Sequence, residues 1–353
     1  VDYAVCGEGE MPFLDLVNHI FSPNSKRVFQ IPGIYRKAGR KIVGEANNEN
    51  YINLKNLPFP NYNLLPLDAY YRVKKRIYVH TSRGCGFNCR YCSVPAFWKK
   101  VRRIPIELLL NQLEKMLDIY NPEQLHIVDD DFSHKKGIMI KQFCEGLGKR
   151  KISIPWKCQA RADILTEDLV ILMAESECFE IDMGIESGNP EIQNYIRKNL
   201  NLNKTKAIIS QIADKGIEAK AFFMIGFPNE SYEQITDTIN FSVSLKDEGL
   251  KSVAFFPVMP FPGTSISKET GKEVFQGAII DDPVSIGTGY EDNMLRKYSS
   301  KPEVSLNKLF SPDDLRLLVK FAYHQFNLAR RVDDLKKEFQ NYLEIEESEM
   351  LRI

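Results

Sequence analysis

Three cysteines in the stretch RGCGFNCRYCSVP, residues 83–95, form the strongest candidate for a metal site in this chain of 353 residues. Cys85, Cys89 and Cys92 follow the spacing C-x3-C-x2-C. Thiolates are soft ligands, which zinc and iron–sulfur clusters prefer. A structural zinc ion needs four protein ligands, whereas a four-iron cluster held by three cysteines keeps one iron open for another molecule. The spacing alone is compatible with either kind of site.

The remaining cysteines do not complete a set of four ligands. The sequence has no second C-x2-C pair, and His80, the nearest histidine, lies within a predicted strand. Cys144, Cys158 and Cys178 fall within or beside predicted elements, where cysteine usually packs as a small buried apolar residue. The seven cysteines show no paired spacing, which in a long chain predicts a reduced, cytoplasmic protein.

The elements around the cysteines alternate between strand and helix from Arg76 onward. Stretches with helical periodicity separate the predicted strands, and this alternation predicts a parallel sheet. The six predicted strands are RIYVHTS, QLHIVDD, WKCQA, FEIDMGIE, EAKAFFMIGF and SVAFFPVMP. Six such units predict an α/β fold, a partial (β/α)6 barrel like the eightfold TIM barrel, whose sites lie at the C-terminal ends of the strands.

Each predicted strand is followed by a short stretch that barrel geometry would bring to one site. The six stretches, in chain order, are the cysteine loop, DDDF (129–132), QARAD (159–163), ESG (186–188), GFPNES (226–231) and PFPGT (260–264). Most of them are charged or rich in glycine and proline, which a purely structural loop does not require. We therefore expect a functional site at the strand ends.

The sequence divides into four predicted segments. They are residues 1–21, a strand, a glycine turn and a helix; residues 22–75, an irregular linker; residues 76–265, the barrel; and residues 266–353, a loop and a helical extension. The linker has weak periodicity, and it is either a connector or a strap that shapes one side of the site. In the extension, a docking helix is expected to start with Ser311 as N-cap and Pro312 at the first helical position.

The charge balance argues against nucleic acid as a partner. The chain has 47 basic and 47 acidic residues, whereas proteins that grip phosphate backbones are generally basic. The run FWKKVRR, residues 97–103, is a local basic patch, and it is either a solvated rim or a grip for a substrate phosphate or carboxylate. No apolar run is long enough to cross a bilayer, so no transmembrane segment is expected.

The cysteine loop resembles that of the radical S-adenosylmethionine (radical SAM) enzymes over residues 75–265. The resemblance rests on C-x3-C-x2-C with Tyr91 directly before the third cysteine, after the first strand of a six-unit barrel. It implies a [4Fe–4S] cluster on Cys85, Cys89 and Cys92, whose free iron binds the amino and carboxylate groups of SAM. It also implies reductive cleavage of SAM to a 5′-deoxyadenosyl radical, with an electron donor such as flavodoxin or ferredoxin.

The same resemblance implies roles for charged residues at two further strand ends. Asp130 and Asp131 stand where this family holds the SAM amino group, although the usual Gly-Gly-Glu is absent here; the alternative is a cluster that caps a helix. Arg161 is a candidate for the SAM carboxylate, and the alternative is an ion pair at the barrel rim.

The fourth and fifth strand ends are expected to contact the nucleoside part of SAM. Glu186 and Ser187 resemble the family's ribose and carboxylate contacts, and Tyr91 is expected near the adenine. The backbone contacts expected at the adenine come from Ile225, Gly226, Phe227 and Pro228. The stretch PFPGT resembles the sixth-strand rim of many members and is expected to form a turn.

The first ten residues, VDYAVCGEGE, resemble the last strand and turn of a cobalamin-binding domain that precedes one branch of this family. The turn Gly7–Glu10 leads into an amphipathic helix, as it does in that branch. Residues 1–21 are therefore interpreted as the last strand and helix of a Rossmann-like cobalamin-binding domain, and cobalamin enters as a cofactor by resemblance only. No cysteine follows Cys178, which disfavours maturases with auxiliary clusters, and the helical tail disfavours methylthiotransferases.

The leading hypothesis is a radical SAM enzyme that transfers a methyl group to an unactivated carbon of a small molecule, lipid or peptide. A cyclase, coupling or rearrangement enzyme of the same branch, without methyl transfer, is the alternative within the family. A non-catalytic zinc-binding or interaction protein is the alternative from another class. An RNA-modifying enzyme is disfavoured by the neutral charge balance.

Overall fold

A computed structural model describes residues 2–22, 31–45, 51–66, 75–272 and 304–350 of the chain. The chain divides into two compact units, residues 1–61 with 102–105 and residues 62–101 with 106–353. The segment boundaries that we predicted at residues 21, 75 and 265 stay predictions. The polar loop predicted to open the C-terminal segment lies mostly outside the described residues.

The first unit contains a small antiparallel sheet and one helix. Strands β1 (Tyr3–Val5), β2 (Ile34–Ala38) and β3 (Lys41–Gly44) lie in the order β1-β2-β3, and helix α1 spans Glu10–Phe21. The strand and helix predicted for residues 1–21 are confirmed. Strands β2 and β3 fall in the range predicted to be irregular, and their two-residue turn starts at Gly39 with φ +61°. A glycine at the first position of such a turn is typical of a hairpin. The hairpin was not predicted because the residues around Gly39, KAGRK, are mostly polar.

A buried ion pair holds the glycine turn of the first unit. Glu8 is 5% exposed, and its two carboxylate oxygens each accept a hydrogen bond of 3.0 Å from Arg102, in the short strand β6 (Arg102–Arg103). Arg102 also donates to the backbone oxygen of Ile52 at 2.8 Å and lies over the Tyr51 ring. Arg102 is therefore engaged inside the first unit and is not one of the solvated or substrate-binding charges expected of the basic patch. The role of the rest of the patch stays a prediction.

Six parallel strands form the central sheet of the second unit, which also contains the short strand β5 (Ser82–Arg83). They are β4 (Arg76–Val79), β7 (Gln124–Ile127), β8 (Trp156–Gln159), β9 (Cys178–Glu186), β10 (Glu218–Ile225) and β11 (Ser252–Pro257). Their order is β11-β10-β9-β8-β7-β4, and each neighbouring pair is parallel. All six predicted strands and the partial (β/α)6 architecture are confirmed, with Cys178 as the first residue of β9 rather than the residue before it.

Helices lie between and after these strands along the chain. They include α2 (Val94–Phe97), α3 (Ile106–Tyr120), α4 (Ile138–Arg150), α5 (Glu167–Glu175), α6 (Pro190–Tyr195), α7 (Leu202–Asp214), α8 (Tyr232–Asp247) and α9 (Ser265–Thr270). Trp156 of β8 is fully buried, and the rings of Phe132 and of Phe143, which lies on α4, meet it edge-on. The next residue of β8, Lys157, points to the opposite face, because side chains alternate along a strand, and its ammonium lies 3.0 Å from a carboxylate oxygen of Asp182.

The C-terminal segment forms two helices rather than the single docking helix that we predicted. Helix α10 (Pro312–Leu328) begins with Ser311 as N-cap, as predicted, and α11 spans Leu335–Met350. Ala329 separates them because its φ of +52° ends α10 in the left-handed conformation. Asn240 on α8 exchanges two hydrogen bonds of 2.7 Å with the backbone of Val332, which fixes the connection. Among the described residues, no helix is long and apolar enough to cross a membrane.

Candidate active site

The C-terminal ends of the six parallel strands lie along one edge of the sheet, where the cysteine loop follows β4. Gly84 opens this loop with φ +93° and donates its N–H to Asp130 Oδ2 at 2.9 Å. Within the loop, Cys92 N donates to Cys89 O at 3.2 Å, and Arg90 N donates to Ile196 O at 3.0 Å. The backbone of the loop is thus fixed by the second strand end and by the chain after α6.

The three cysteines of the loop are free thiols in a mostly buried environment. Cys89 is buried, and Cys85 and Cys92 are half-buried. Burial raises the pKa of Cys85 to about 12, and the charges of Asp131 and of the two other cysteines add to this effect. Burial also raises the pKa of Cys92 to about 11. Metal binding would therefore displace protons from these thiols, as thiolate coordination generally does.

The three thiols lie close enough that each thiolate charge would disfavour the others. Among the described residues, no group of three His, Cys, Asp or Glu side chains is arranged to hold a single metal ion. In a four-iron cluster each thiolate binds a different iron, so the three cysteines need not share one ion. The zinc alternative stays open.

The three aspartates after β7 have different partners. Asp129 accepts hydrogen bonds from the backbone and hydroxyl groups of Thr81 and Ser82, which ties the first strand end to the second. Asp130 accepts the N–H of Gly84, as noted above. Asp131 Oδ1 accepts from Ser133, but its Oδ2 is buried with no hydrogen-bond partner in the structure. Of the two predicted ligands for an amino group, Asp131 thus keeps a carboxylate oxygen available.

The alternative interpretation of DDDF as a helix cap is wrong. Helix α4 begins at Ile138, and its N-cap is Gly137. The aspartates lie well before that position and bind the ends of β4 and the turn at Ser133 instead. Their carboxylates therefore lie at the strand ends, and the role of Asp130 or Asp131 toward SAM stays a prediction.

Arg161 makes the ion pair at the barrel rim that was one of its two predicted roles. Its Nε and Nη2 lie 2.9 and 3.0 Å from the two carboxylate oxygens of Asp163. Nη2 also donates to the backbone oxygen of Lys198 at 2.9 Å, and the guanidinium lies 3.7 Å from the centre of the Phe87 ring in the cysteine loop. A role toward a SAM carboxylate stays a prediction.

Glu186 lies in a buried group with Tyr91 and Lys198. Glu186 Oε1 accepts hydrogen bonds from Lys198 Nζ at 2.7 Å and from Tyr91 OH at 2.9 Å. Lys198 Nζ lies 3.3 Å from the Tyr91 oxygen. A Cβ on Gly184, two residues before Glu186, would lie 2.7 Å from Lys198 Nζ and against Glu186 Oε1, so both side chains would have to move. The structure thus joins two predicted site residues through a buried lysine.

Lys198 was not predicted as a site residue. It is 8% exposed, and a lysine is seldom so buried unless it is paired. Arg197 and Asn199 on either side have φ of +58° and +53°, so the chain reverses after α6 and carries Lys198 toward β9. The sequence carries a weak signal for this reversal, because asparagine tolerates the left-handed conformation better than most residues.

Ser187 is not part of this group. Its hydroxyl lies 2.9 Å from that of Thr238 on α8, and it accepts the N–H of Asn189 at 3.1 Å. It is fully buried. The structure therefore brings Glu186 and Tyr91 together and directs the Ser187 hydroxyl toward the helices.

The loop after β10 is folded around a buried carboxyl group. Glu230 Oε2 accepts the N–H of Gly226 at 2.7 Å and that of Phe227 at 3.0 Å. The Phe227 ring meets Tyr91 edge-on, with ring centres 6.3 Å apart. The predicted stretch Ile225, Gly226, Phe227 and Pro228 thus contacts the cysteine loop through one aromatic pair. Burial raises the pKa of Glu230 to about 8, although the two N–H groups act in the opposite direction.

This raised pKa predicts a pH-dependent stability. Below about pH 4.5 Glu230 is protonated in both the folded and the unfolded chain; above it, only the folded chain holds the proton, so stability falls as pH rises toward 8. We expect the free energy of unfolding of the wild type, relative to Glu230→Gln, to fall by about 1.4 kcal/mol per pH unit between about pH 5 and 7. Urea unfolding of both proteins at several pH values measures this difference; parallel pH profiles would contradict it.

Residues 79–242 match the family model described as the Radical SAM superfamily. An uncharacterized methyltransferase of Pyrococcus horikoshii is 28% identical over 340 residues, which cover 94% of this chain and 68% of that protein. The cytidylyl-2-hydroxyethylphosphonate methyltransferase of Streptomyces wedmorensis is 26% identical, over 78% of this chain and 52% of its own length. The anaerobic magnesium-protoporphyrin IX monomethyl ester cyclase of Rubrivivax gelatinosus is 24% identical, over 78% of this chain and 50% of its own length. The chain thus spans about half the length of the last two.

Two solved proteins whose structures contain cobalamin have a similar fold. The radical S-adenosylmethionine methyltransferase TsrM from Kitasatospora setae, with cobalamin and a [4Fe–4S] cluster bound, has a TM-score of 0.63 at 18% identity, over 76% of this chain and 55% of that chain. The cobalamin-dependent S-adenosylmethionine radical enzyme OxsB has a TM-score of 0.57 at 19% identity, over 74% of this chain and 38% of that chain. At these identities the likeness shows the fold, which agrees with the partial barrel.

Proposed function

The chain belongs to the radical SAM superfamily of enzymes, and on this premise we propose that it is a C-methyltransferase acting on an unactivated carbon of a small molecule, lipid or peptide. The observation that carries the proposal is the three-cysteine loop beside the buried group of Tyr91, Glu186 and Lys198 at the strand ends. Methyl transfer is favoured because the relatives from P. horikoshii and S. wedmorensis are methyltransferases.

Cys85, Cys89 and Cys92 would hold the [4Fe–4S] cluster, which when bound supplies the electron that cleaves SAM to a 5′-deoxyadenosyl radical. The surrounding protein shields the thiolates from water, since Cys89 is buried and the other two are half-buried. Asp131 Oδ2, which has no protein partner, would accept a hydrogen bond from the SAM amino group. The carboxylate of SAM would face the positive charges of Lys198 and Arg161.

The remaining strand ends would orient the nucleoside. Tyr91 and Glu186 carry the hydroxyl and carboxylate groups that can hydrogen-bond a ribose, and Lys198 holds both in one orientation. The polar backbone of the loop after β10, together with the Phe227 ring, would contact the adenine. These roles position SAM against the cysteine loop and leave the opposite side of the site for the substrate.

The proposed reaction also requires cobalamin and an electron donor. Cobalamin follows from the resemblance of residues 1–10 to the end of a cobalamin-binding domain, and we assign no residue of this chain to it. Cleavage of SAM consumes an electron, so a reductant such as flavodoxin or ferredoxin is needed. A radical cyclase is the second candidate, because the relative from R. gelatinosus is a cyclase.

Methyl-labelled SAM separates the candidate functions. The anaerobically reconstituted protein, with hydroxocobalamin and a chemical reductant, would be incubated with a small-molecule extract of the source organism. We expect the label to enter a new product, detected by chromatography with mass spectrometry. A new but unlabelled product, formed together with 5′-deoxyadenosine, would favour the cyclase. A colourless protein that holds one zinc ion and leaves SAM intact would contradict both.

A further inference from the structure

The C-terminal segment holds the loop Gly226–Glu230, which follows β10, through two hydrogen bonds. Asn307 Nδ2 donates hydrogen bonds to the backbone oxygens of Phe227, at 2.9 Å, and Glu230, at 2.8 Å. Asn307 is 6% exposed, and its Oδ1 accepts the N–H of Leu309 at 2.8 Å. A single buried amide therefore uses both its ends to join this loop to a segment 80 residues further along the chain.

The same segment also packs against the aromatic side of the loop. Leu306, the neighbour of Asn307, belongs to one buried apolar cluster with Phe227, and Tyr91 packs against that cluster. The C-terminal segment and Tyr91 thus contact the same apolar cluster, which contains the Phe227 ring. Glu230 fixes the N–H groups of Gly226 and Phe227, and Asn307 fixes the carbonyl oxygens of Phe227 and Glu230, so donors and acceptors of the loop backbone are both held.

We propose that Asn307 is a positioning residue for SAM, which holds the loop Gly226–Glu230 in the conformation that receives the adenine. The inference rests on the proposed function, because the loop contacts a nucleoside only if SAM binds at the strand ends. A loop that is ordered before binding loses less conformational entropy when the ligand arrives, so its ligand binds more tightly. Asn307 acts through the loop rather than by contact with SAM.

The chain offers a matched control for this role. Asn240 also uses both ends of its amide to hold a C-terminal connection, through two hydrogen bonds of 2.7 Å to Val332. Asn307→Ala and Asn240→Ala therefore each remove an amide clamp of the same kind, but only the first clamp acts on the loop after β10. Asn307→Ser, which keeps a hydroxyl donor, is a milder second variant.

The first measurement is the dissociation constant of radiolabelled SAM, by anaerobic ultrafiltration of the reconstituted proteins. We expect Asn307→Ala to raise it by about tenfold, since two carbonyl oxygens lose their donor, and Asn240→Ala to change it by less than about twofold. Asn307→Ser should fall between wild type and Asn307→Ala. The second measurement is hydrogen–deuterium exchange without cofactors: peptides covering residues 225–230 should exchange faster in Asn307→Ala but not in Asn240→Ala.

The measured SAM affinities separate failure of the positioning role from failure of the proposed function. Unchanged SAM affinity in Asn307→Ala, or the same loss of affinity in both variants, would overturn the positioning role while the proposed function stands. If Asn307→Ala does not fold, wild-type affinity in Asn307→Ser would overturn it equally. If the wild type assembles no cluster and binds no SAM, the proposed function fails, and this inference fails with it.

Discussion

Replacement of Cys85, Cys89 or Cys92 by alanine should abolish both assembly of the [4Fe–4S] cluster and reductive cleavage of SAM. The three thiols are all free in the structure, and each would bind a different iron of the cluster. Two thiolates cannot hold three irons of a cluster. After anaerobic reconstitution, we expect iron and sulfide near background, no visible absorption of a cluster, and no 5′-deoxyadenosine.

Cys144→Ala is the matched control for these variants. Cys144 is also buried and free, and burial raises the pKa of its thiol to about 12, but it lies on α4 within the helical layer. We expect Cys144→Ala to keep the cluster and to cleave SAM. A variant of Cys85, Cys89 or Cys92 that keeps full iron and sulfide would remove that residue from the ligand set.

Replacement of Lys198 by methionine should destabilise the protein strongly as well as weaken SAM binding. The side chains of Lys198 and Glu186 are 7% and 9% exposed, so the variant leaves a buried carboxylate with Tyr91 as its remaining donor. Removal of one partner from a buried ion pair costs about 3–5 kcal/mol. We expect a loss of about 3 kcal/mol in the free energy of unfolding, because the Tyr91 hydroxyl still compensates part of the charge. Urea unfolding of the cofactor-free protein measures it.

Two further variants identify the cause of that loss. Lys198→Met combined with Glu186→Gln removes the uncompensated charge, and it should recover part of the lost stability. Lys141→Met breaks the exposed pair of Lys141 with Glu145, whose side chains are 60% and 41% exposed, and should cost less than about 0.5 kcal/mol. Equal losses of unfolding free energy in Lys198→Met and Lys141→Met would show that burial of the Lys198 pair does not contribute to stability.

The sheet was predictable because its signal is local. The six strands alternate with stretches of helical periodicity along the chain, and the three cysteines of the loop lie within eight residues. The hairpin of β2 and β3 was missed because its strands are short and carry polar residues on both sides of Gly39. The break between α10 and α11 was missed because alanine at position 329 gives no sign that it ends a helix.

The supporting residues of the site were not predictable because distant parts of the chain create them. Lys198 reaches Glu186 only after the reversal at Arg197 and Asn199, and Asn307 reaches its loop across 80 residues of chain. The role of Glu230 depends on burial, which no spacing reveals. Asp130 and Asp131 were indistinguishable in sequence, and their hydrogen-bond partners separate them.

The close packing at Gly184 limits how this enzyme can be engineered. Glycine within a strand is a usual target for thermostabilisation, since a side chain restricts the unfolded chain and improves strand propensity. At Gly184 even a methyl group would displace the ammonium of Lys198 and the carboxylate of Glu186. A consensus or directed-evolution campaign that seeks heat resistance through this position would therefore disturb the buried ion pair of Lys198 and Glu186. Stabilising changes are better sought on the exposed faces of the outer helices.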